Sequence, residues 1–86
     1  MALPPSNFLY HVSTHTISWT FGEPNCEFSI SYCKPNETTW LDLYSGTDTQ
    51  CPFNVPSGLY KFRGKARKPG DPNWGPNGTP EDINIA

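Results

Sequence analysis

Three cysteines and two histidines are the residues of this sequence best suited to covalent or metal chemistry. They are Cys26, Cys33, Cys51, His11 and His15. An odd cysteine count leaves three arrangements open: one disulfide between two of the three with one thiol left over, three reduced thiols, or a bond outside this chain. No Cys-x-x-Cys pair occurs, and the histidines are far from the cysteines in sequence, so zinc-finger spacing is absent. We expect no metal site and polar strand or loop histidines.

Motifs for catalysis are also missing. The sequence has no Gly-x-Ser-x-Gly elbow, no phosphate-binding loop and no His-Glu-x-x-His. Its eight acidic residues are scattered along the chain. We therefore expect a protein that is not an enzyme and uses no cofactor.

Two sequons for N-glycosylation provide a different kind of chemistry. They begin at Asn36 (Asn-Glu-Thr) and at Asn77 (Asn-Gly-Thr), both in turn-like contexts. Pro80 directly follows the second sequon and should reduce its use. Both positions are candidate glycosylation sites and favour an extracellular protein.

Basic residues are concentrated in one segment. Five of the six lie within residues 61–68, and four of these alternate with apolar or small residues, so they should share the outer face of one strand. The five are Lys61, Arg63, Lys65, Arg67 and Lys68.

Three interpretations of the basic strand remain open. It is a solvated face with cross-strand partners such as Asp42, Glu81 or Asp82. Alternatively, Arg63 or Arg67 stacks on Trp40 or Trp74 in cation–π contacts. The third interpretation is a binding stripe for an acidic partner such as a sulfated glycan.

The loop 68–77, rich in proline, glycine and asparagine, is a second candidate surface. Its candidate partner-binding residues are Asp71, Asn73 and Trp74. Trp74 is included because an exposed tryptophan is a frequent anchor of interfaces. The competing interpretation folds Trp74 back onto the sheet. The loop contains no Arg-Gly-Asp, so integrin binding has no direct support.

The elements that position these residues are short strands. Ten prolines and seven glycines in 86 residues argue against helices. Apolar and polar residues alternate with a period of two, with turn signals about every ten residues. The predicted strands cover residues 8–12, 16–19, 26–32, 40–44, 51–55, 60–67 and 83–85. The pattern predicts one all-β domain, a β-sandwich of about seven antiparallel strands in two sheets.

The alternation also predicts which side chains are buried. The predicted core consists of Trp19, Phe28, Ile30, Tyr32, Phe53, Tyr60 and Phe62. Cys26 and Cys51 share the inward parity of their strands. Cys33 follows Tyr32 and should face outward as an exposed thiol.

Composition excludes other classes of protein. The formal charge of −2 and the pI near 5.5 weaken a nucleic-acid-binding interpretation. No apolar run approaches the roughly 20 residues of a membrane helix. No signal peptide begins the chain. Residues 1–6 resemble an interdomain lead-in, which favours a domain excised from a larger protein over an intracellular protein.

In order, these features resemble a fibronectin type III domain over most of the chain. The resemblance starts with a Pro-Pro lead-in and includes the Ile-Ser-Trp of strand B ending at Trp19. Its strongest segment is residues 60–66, Tyr-Lys-Phe-Arg-Gly-Lys-Ala, which is similar to strand F. Pro56, four before Tyr60, matches the turn of the tyrosine corner, in which the phenol bonds upstream backbone. Gly64 departs from the usual valine and leaves space for a bulge or a large neighbour such as Trp19.

A narrower resemblance is to the cytokine-receptor branch of this fold. That branch carries arginines on strand F, followed by Trp-Ser-x-Trp-Ser. Here the basic strand is followed by Trp74-Gly-Pro-Asn-Gly, which keeps only the first tryptophan.

The resemblance implies an immunoglobulin-like sandwich that acts as a non-catalytic protein-binding or spacer module at a cell surface or outside the cell. It would present the loop 68–77 and the basic strand to a protein or an acidic glycan, beside neighbouring domains of a parent protein. Two alternatives remain: a purely structural spacer of an intracellular or bacterial protein, and an engineered binding scaffold.

Overall fold

Seven strands organise the structure, a computed structural model that describes residues 4–21 and 26–85. The strands are β1 (Ser6–His11), β2 (Thr16–Thr20), β3 (Glu27–Cys33), β4 (Leu41–Gly46), β5 (Gln50–Pro52), β6 (Gly58–Arg67) and β7 (Glu81–Ile85). They form two antiparallel sheets, ordered β1-β2-β5 and β4-β3-β6-β7. The expected all-β sandwich of about seven strands is confirmed. Among the described residues no helix is long and apolar enough to cross a membrane.

The core lies between the two sheets and consists largely of aromatic rings. Phe53 contacts Phe62 with ring centroids 5.1 Å apart, and Trp19 contacts Phe8 and Phe28 at 6.1 Å each. Of the predicted core residues, Tyr32 is half-buried and the other six are buried. Because each large apolar side chain contributes roughly 1.5–3 kcal/mol on full burial, these rings hold the sheets together.

The turn before β6 is fixed by a single phenol. The hydroxyl of Tyr60 donates a hydrogen bond of 2.8 Å to the carbonyl oxygen of Pro56. The contact that the resemblance implies for these two residues is therefore present. It joins the crossover segment 53–57 to the start of β6.

Gly64 has a different role from the one expected. β6 continues through it without a bulge, with Gly64 opposite Ile30. A Cβ at position 64 would lie 2.6 Å from Ile30 Cδ1 and 2.8 Å from Pro5 Cγ. Ile30 and Pro5, rather than Trp19, therefore occupy the space that the missing side chain leaves.

Several expected boundaries shift in the structure. β1 begins at Ser6, and β5 ends at Pro52, although the N–H of Phe53 still donates to the carbonyl oxygen of His15, just before β2, at 2.8 Å. Within the expected lead-in, Pro5 is buried against the sandwich. The expected turn at 22–25 and residues 1–3 of the lead-in lie outside the described residues.

Candidate partner-binding face

β6 is the strand that carries the candidate site. It lies in the interior of its sheet, between β3 and β7. Tyr60, Phe62, Gly64 and Ala66 are buried, while the four basic residues between and after them are exposed or half-buried. The predicted alternation is confirmed, and it places Lys61, Arg63, Lys65 and Arg67 on the outer face of the four-stranded sheet.

Arg63 is stacked on Trp40. Its guanidinium carbon lies 4.2 Å from the ring centroid, and Trp40 directly precedes β4. The Nε atom of Arg63 is buried and has no hydrogen-bond partner among the described residues. The indole therefore holds the guanidinium by cation–π attraction and by excluding water from one side.

Trp74 forms the second half of this arrangement. The guanidinium carbon of Arg67 lies 4.4 Å from its ring centroid, and Nζ of Lys65 lies 5.4 Å from it. These contacts agree with the second interpretation of the basic strand, in which its cations stack on Trp40 and Trp74. We call the set Trp40, Arg63, Lys65, Arg67 and Trp74 the cation–aromatic face.

Backbone pairing explains why Trp74 does not project into solvent. The N–H of Gly75 donates to the carbonyl oxygen of Ala66, and the N–H of Gly78 donates to that of Gly64, both at 2.9 Å. The segment after Trp74 therefore runs beside the second half of β6 and lays the indole, which is half-buried, over the basic side chains. Of the two interpretations of Trp74, the structure has the one that folds it back onto the sheet.

The acidic partners of the face differ from the expected ones. Arg67 forms an ion pair of 3.1 Å with Glu27, which lies opposite it on β3. Asp42, Glu81 and Asp82 form no salt bridge with this strand among the described residues.

The expected partners lie near the strand but serve elsewhere. Glu81 binds backbone N–H groups of β1, and Asp82 lies opposite Lys61 in register without forming an ion pair. No carboxylate of the described residues lies within salt-bridge distance of Lys61, Arg63 or Lys65. Among the described residues, these three basic side chains therefore have no ion-pair partner.

The tip of the loop 68–77 is held by local hydrogen bonds. The N–H of Asp71 donates to the carbonyl oxygen of Lys68, and the N–H of Asn73 donates to Asp71 Oδ1, both at 3.0 Å. Asn73 is exposed and Asp71 half-buried. Asn73 directly precedes Trp74 in the chain, which connects the loop tip to the cation–aromatic face.

All three cysteines are buried thiols. Cys33 lies opposite Lys61 on the outward parity of β3, as expected, but only 2% of it is exposed. Trp40 and Pro80 line the space around it, so the expectation of an exposed thiol is wrong. Burial raises the pKa of the Cys51 thiol to about 11.

The histidines bind hydroxyl groups, which sequence reasoning did not foresee. His11 Nε2 is hydrogen bonded to Ser18 Oγ at 2.8 Å, and His15 Nδ1 to the Tyr10 hydroxyl at 3.0 Å. Within residues 4–21 and 26–85 there is no cluster of three or more metal-ligating side chains.

The protein is thus a β-sandwich. On the outer surface of its four-stranded sheet, basic side chains are stacked on two tryptophan rings. In comparisons with known proteins, the sequence matches no protein-family model and no curated protein.

Proposed function

We propose that this chain is a fibronectin type III-like module that binds a protein partner with an acidic surface, outside the cell or at its surface. The cation–aromatic face carries the proposal. Rings orient its basic side chains, and no described carboxylate pairs with Arg63 or Lys65. Such a face attracts negative charge and fixes the direction from which a partner can approach.

Three features of the fold support the family assignment within this proposal. The sheets have the orders β1-β2-β5 and β4-β3-β6-β7, the Tyr60 phenol bonds Pro56, and Trp19 is buried on β2. The stacking of Trp74 against Arg67 supports the narrower resemblance to the cytokine-receptor branch. In this proposal the module is part of a larger protein and has no catalytic role.

The contact surface in this proposal runs from Arg63 to the loop tip. Arg63, Lys65 and Arg67 supply charge, Trp74 supplies an apolar ring, and Asp71 and Asn73 supply polar groups. Stacking restricts the motion of the guanidinium groups, so less side-chain entropy is lost when a partner binds. A row of basic side chains along one strand suits a protein or a linear polyanion.

Charge reversal on the face tests the proposal. Immobilised poly-aspartate peptide and immobilised heparin serve as two probes, representing an acidic protein surface and a sulfated glycan. We expect the wild type to bind poly-aspartate, with affinity falling as salt rises. The double variant Lys65→Glu/Arg67→Glu should lose at least about tenfold in affinity, equal to about 1.4 kcal/mol.

Lys34 provides a control away from the cation–aromatic face. It is the one basic residue of the sequence outside residues 61–68. Its side chain is exposed, and it follows β3 directly, at the opposite end of that strand from Glu27. Lys34→Glu changes the net charge without touching the face and should bind as the wild type does. Binding to heparin alone would assign the face to an acidic glycan. Binding to neither probe would reject the proposal and leave a spacer function.

A further inference from the structure

The sequon at Asn36 lies in a turn whose geometry favours asparagine. The N–H of Glu37 donates to the carbonyl oxygen of Lys34 at 3.1 Å, which closes a four-residue turn. Pro35 holds the second position, and Asn36 the third with φ of 63°. A type II turn requires a positive φ at its third position, which glycine and asparagine tolerate best. The turn therefore explains why asparagine stands at position 36, and it leaves the Asn36 side chain exposed.

An open cleft of about 420 Å³ lies directly beside this turn. Asn36 and Thr38, the acceptor and hydroxyl residues of the sequon, both line it. Its other wall includes Leu59 on β6, a residue that is 53% exposed. The cleft therefore has the exposed apolar side chain of Leu59 in the same lining as Asn36.

The second sequon has a different environment. Asn77 is exposed, but its backbone belongs to the segment that pairs with β6 through the N–H of Gly78. Pro80 follows that sequon directly. The two sequons, equivalent by motif, therefore differ in what surrounds them.

We propose that Asn36 is the N-glycosylated residue and that the first sugars of its glycan lie in the cleft against Leu59. The inference rests on the extracellular location proposed above. A host transferase would join Asn36 Nδ2 to the anomeric carbon of a lipid-linked oligosaccharide. The amide loses one proton and the lipid pyrophosphate leaves. The N-acetyl methyl and the apolar face of the first sugar then remove Leu59 from water.

In this proposal the start of β6 contacts the glycan, and the second half of β6 carries the partner-binding face. The cleft reaches Lys61, the basic residue nearest the start of β6, and does not include Arg63, Lys65 or Arg67. A glycan in the cleft would cover the Lys61 end and leave the cation–aromatic face open. Loss of the glycan and loss of partner binding are therefore separate outcomes.

The mass of the secreted chain tests whether Asn36 carries a glycan. The full chain is expressed through the secretory pathway of animal cells and weighed before and after enzymatic removal of N-glycans. Thr38→Ala should remove the glycan mass, while Thr38→Ser and Thr79→Ala should retain it. These variants leave Asn36 in its turn. A wild type without glycan mass, or with a glycan on Asn77 alone, would overturn the proposal.

Thermal stability tests whether the glycan lies on Leu59. The glycosylated Thr38→Ser protein should melt roughly 2–5 °C above the unglycosylated Thr38→Ala protein, as a fraction of a kcal/mol implies for a domain of this size. In a Leu59→Ser background this difference should vanish. Leu9→Ser is the matched control, because Leu9 is similarly exposed, at 58%, but lies on β1 outside the cleft. An equal glycan effect in both serine backgrounds would exclude docking on Leu59.

The basic-face probe keeps this result separate from the proposed function. If Asn36 is unglycosylated but poly-aspartate binding still depends on Lys65 and Arg67, only the glycan inference fails. If the glycan is present but charge reversal leaves binding unchanged, only the proposed binding face fails.

Discussion

The carboxylate of Glu81 on β7 accepts hydrogen bonds from the backbone N–H groups of Asn7 and Phe8 on β1, each with an N···O distance of 3.0 Å. Asn7 has φ of 55°, and the pairing of β1 with β2 shifts register between Ser6 and Leu9. The irregular backbone turns two consecutive N–H groups toward one anion. Since β1 and β7 are edge strands of different sheets, this side chain bridges the two sheets at one side of the sandwich.

Replacing Glu81 by glutamine should therefore weaken the whole domain. The amide keeps one acceptor but loses the charge, and its NH₂ group cannot accept from the second N–H. We expect the free energy of unfolding in urea to fall by about 1–2 kcal/mol, the range for hydrogen bonds to a charged group. Asp82→Asn is the control, since Asp82 is exposed and should change stability by less than about 0.5 kcal/mol. Equal effects of the two variants would contradict the bridging role.

Gly64→Ala tests the close approach of β3 and the Pro5 segment to β6. The new methyl would lie 2.6 Å from Ile30 Cδ1 and 2.8 Å from Pro5 Cγ, so neighbours must move. We expect a loss of about 1–3 kcal/mol, as in overpacked cores. Ile30→Val removes Cδ1 and should recover part of this loss in the double variant, measured as a favourable coupling energy. If the stability changes of the two single variants simply add, the new methyl does not clash with Ile30 Cδ1.

Stability should fall at alkaline pH because of Cys51. Burial raises the pKa of its thiol from 9.0 to about 11, so the unfolded chain loses this proton first. The folded state then holds more protons between these values, and the free energy of unfolding decreases as pH rises from 9 toward 11. The total loss is at most about 2–3 kcal/mol for two pKa units.

Cys51→Ala provides the comparison for this effect. Its urea midpoint should depend less on pH between 8.5 and 10 than that of the wild type, whatever its absolute stability. Burial also raises the pKa of the Tyr60 phenol, with the nearby charge of Tyr32 adding to the shift. The tyrosine contribution begins at higher pH and is common to both proteins. Parallel pH profiles would exclude Cys51 as the source.

The stack of Arg63 on Trp40 should have a measurable coupling energy. A double-mutant cycle with Arg63→Gln and Trp40→Leu isolates the cation–π contribution from the loss of packing. We expect a coupling of about 0.5–1 kcal/mol, as for partly exposed cation–π pairs. High salt should change it little, because the Nε side of the guanidinium is shielded from water. A coupling near zero would mean that the ring only covers the arginine.

Part of the candidate face followed from the sequence because it depends on local periodicity. Alternation along β6 was enough to place Arg63, Lys65 and Arg67 on one side of a sheet, and to name Trp40 and Trp74 as possible ring partners. The choice of Glu27 as the ion-pair partner depends on the register of β3 against β6, which no local pattern specifies. The same holds for Glu81, whose partners lie more than 70 residues away in sequence.

Sequence alone determined the strand character and the inward rings, because each depends on residues within a few positions of one another. Tertiary structure decided the burial of Cys33, the folding back of Trp74 and the packing of Pro5 on Gly64. These depend on which distant segments meet. Parity states the face of a sheet that a side chain occupies, but only the assembled fold determines what covers that face.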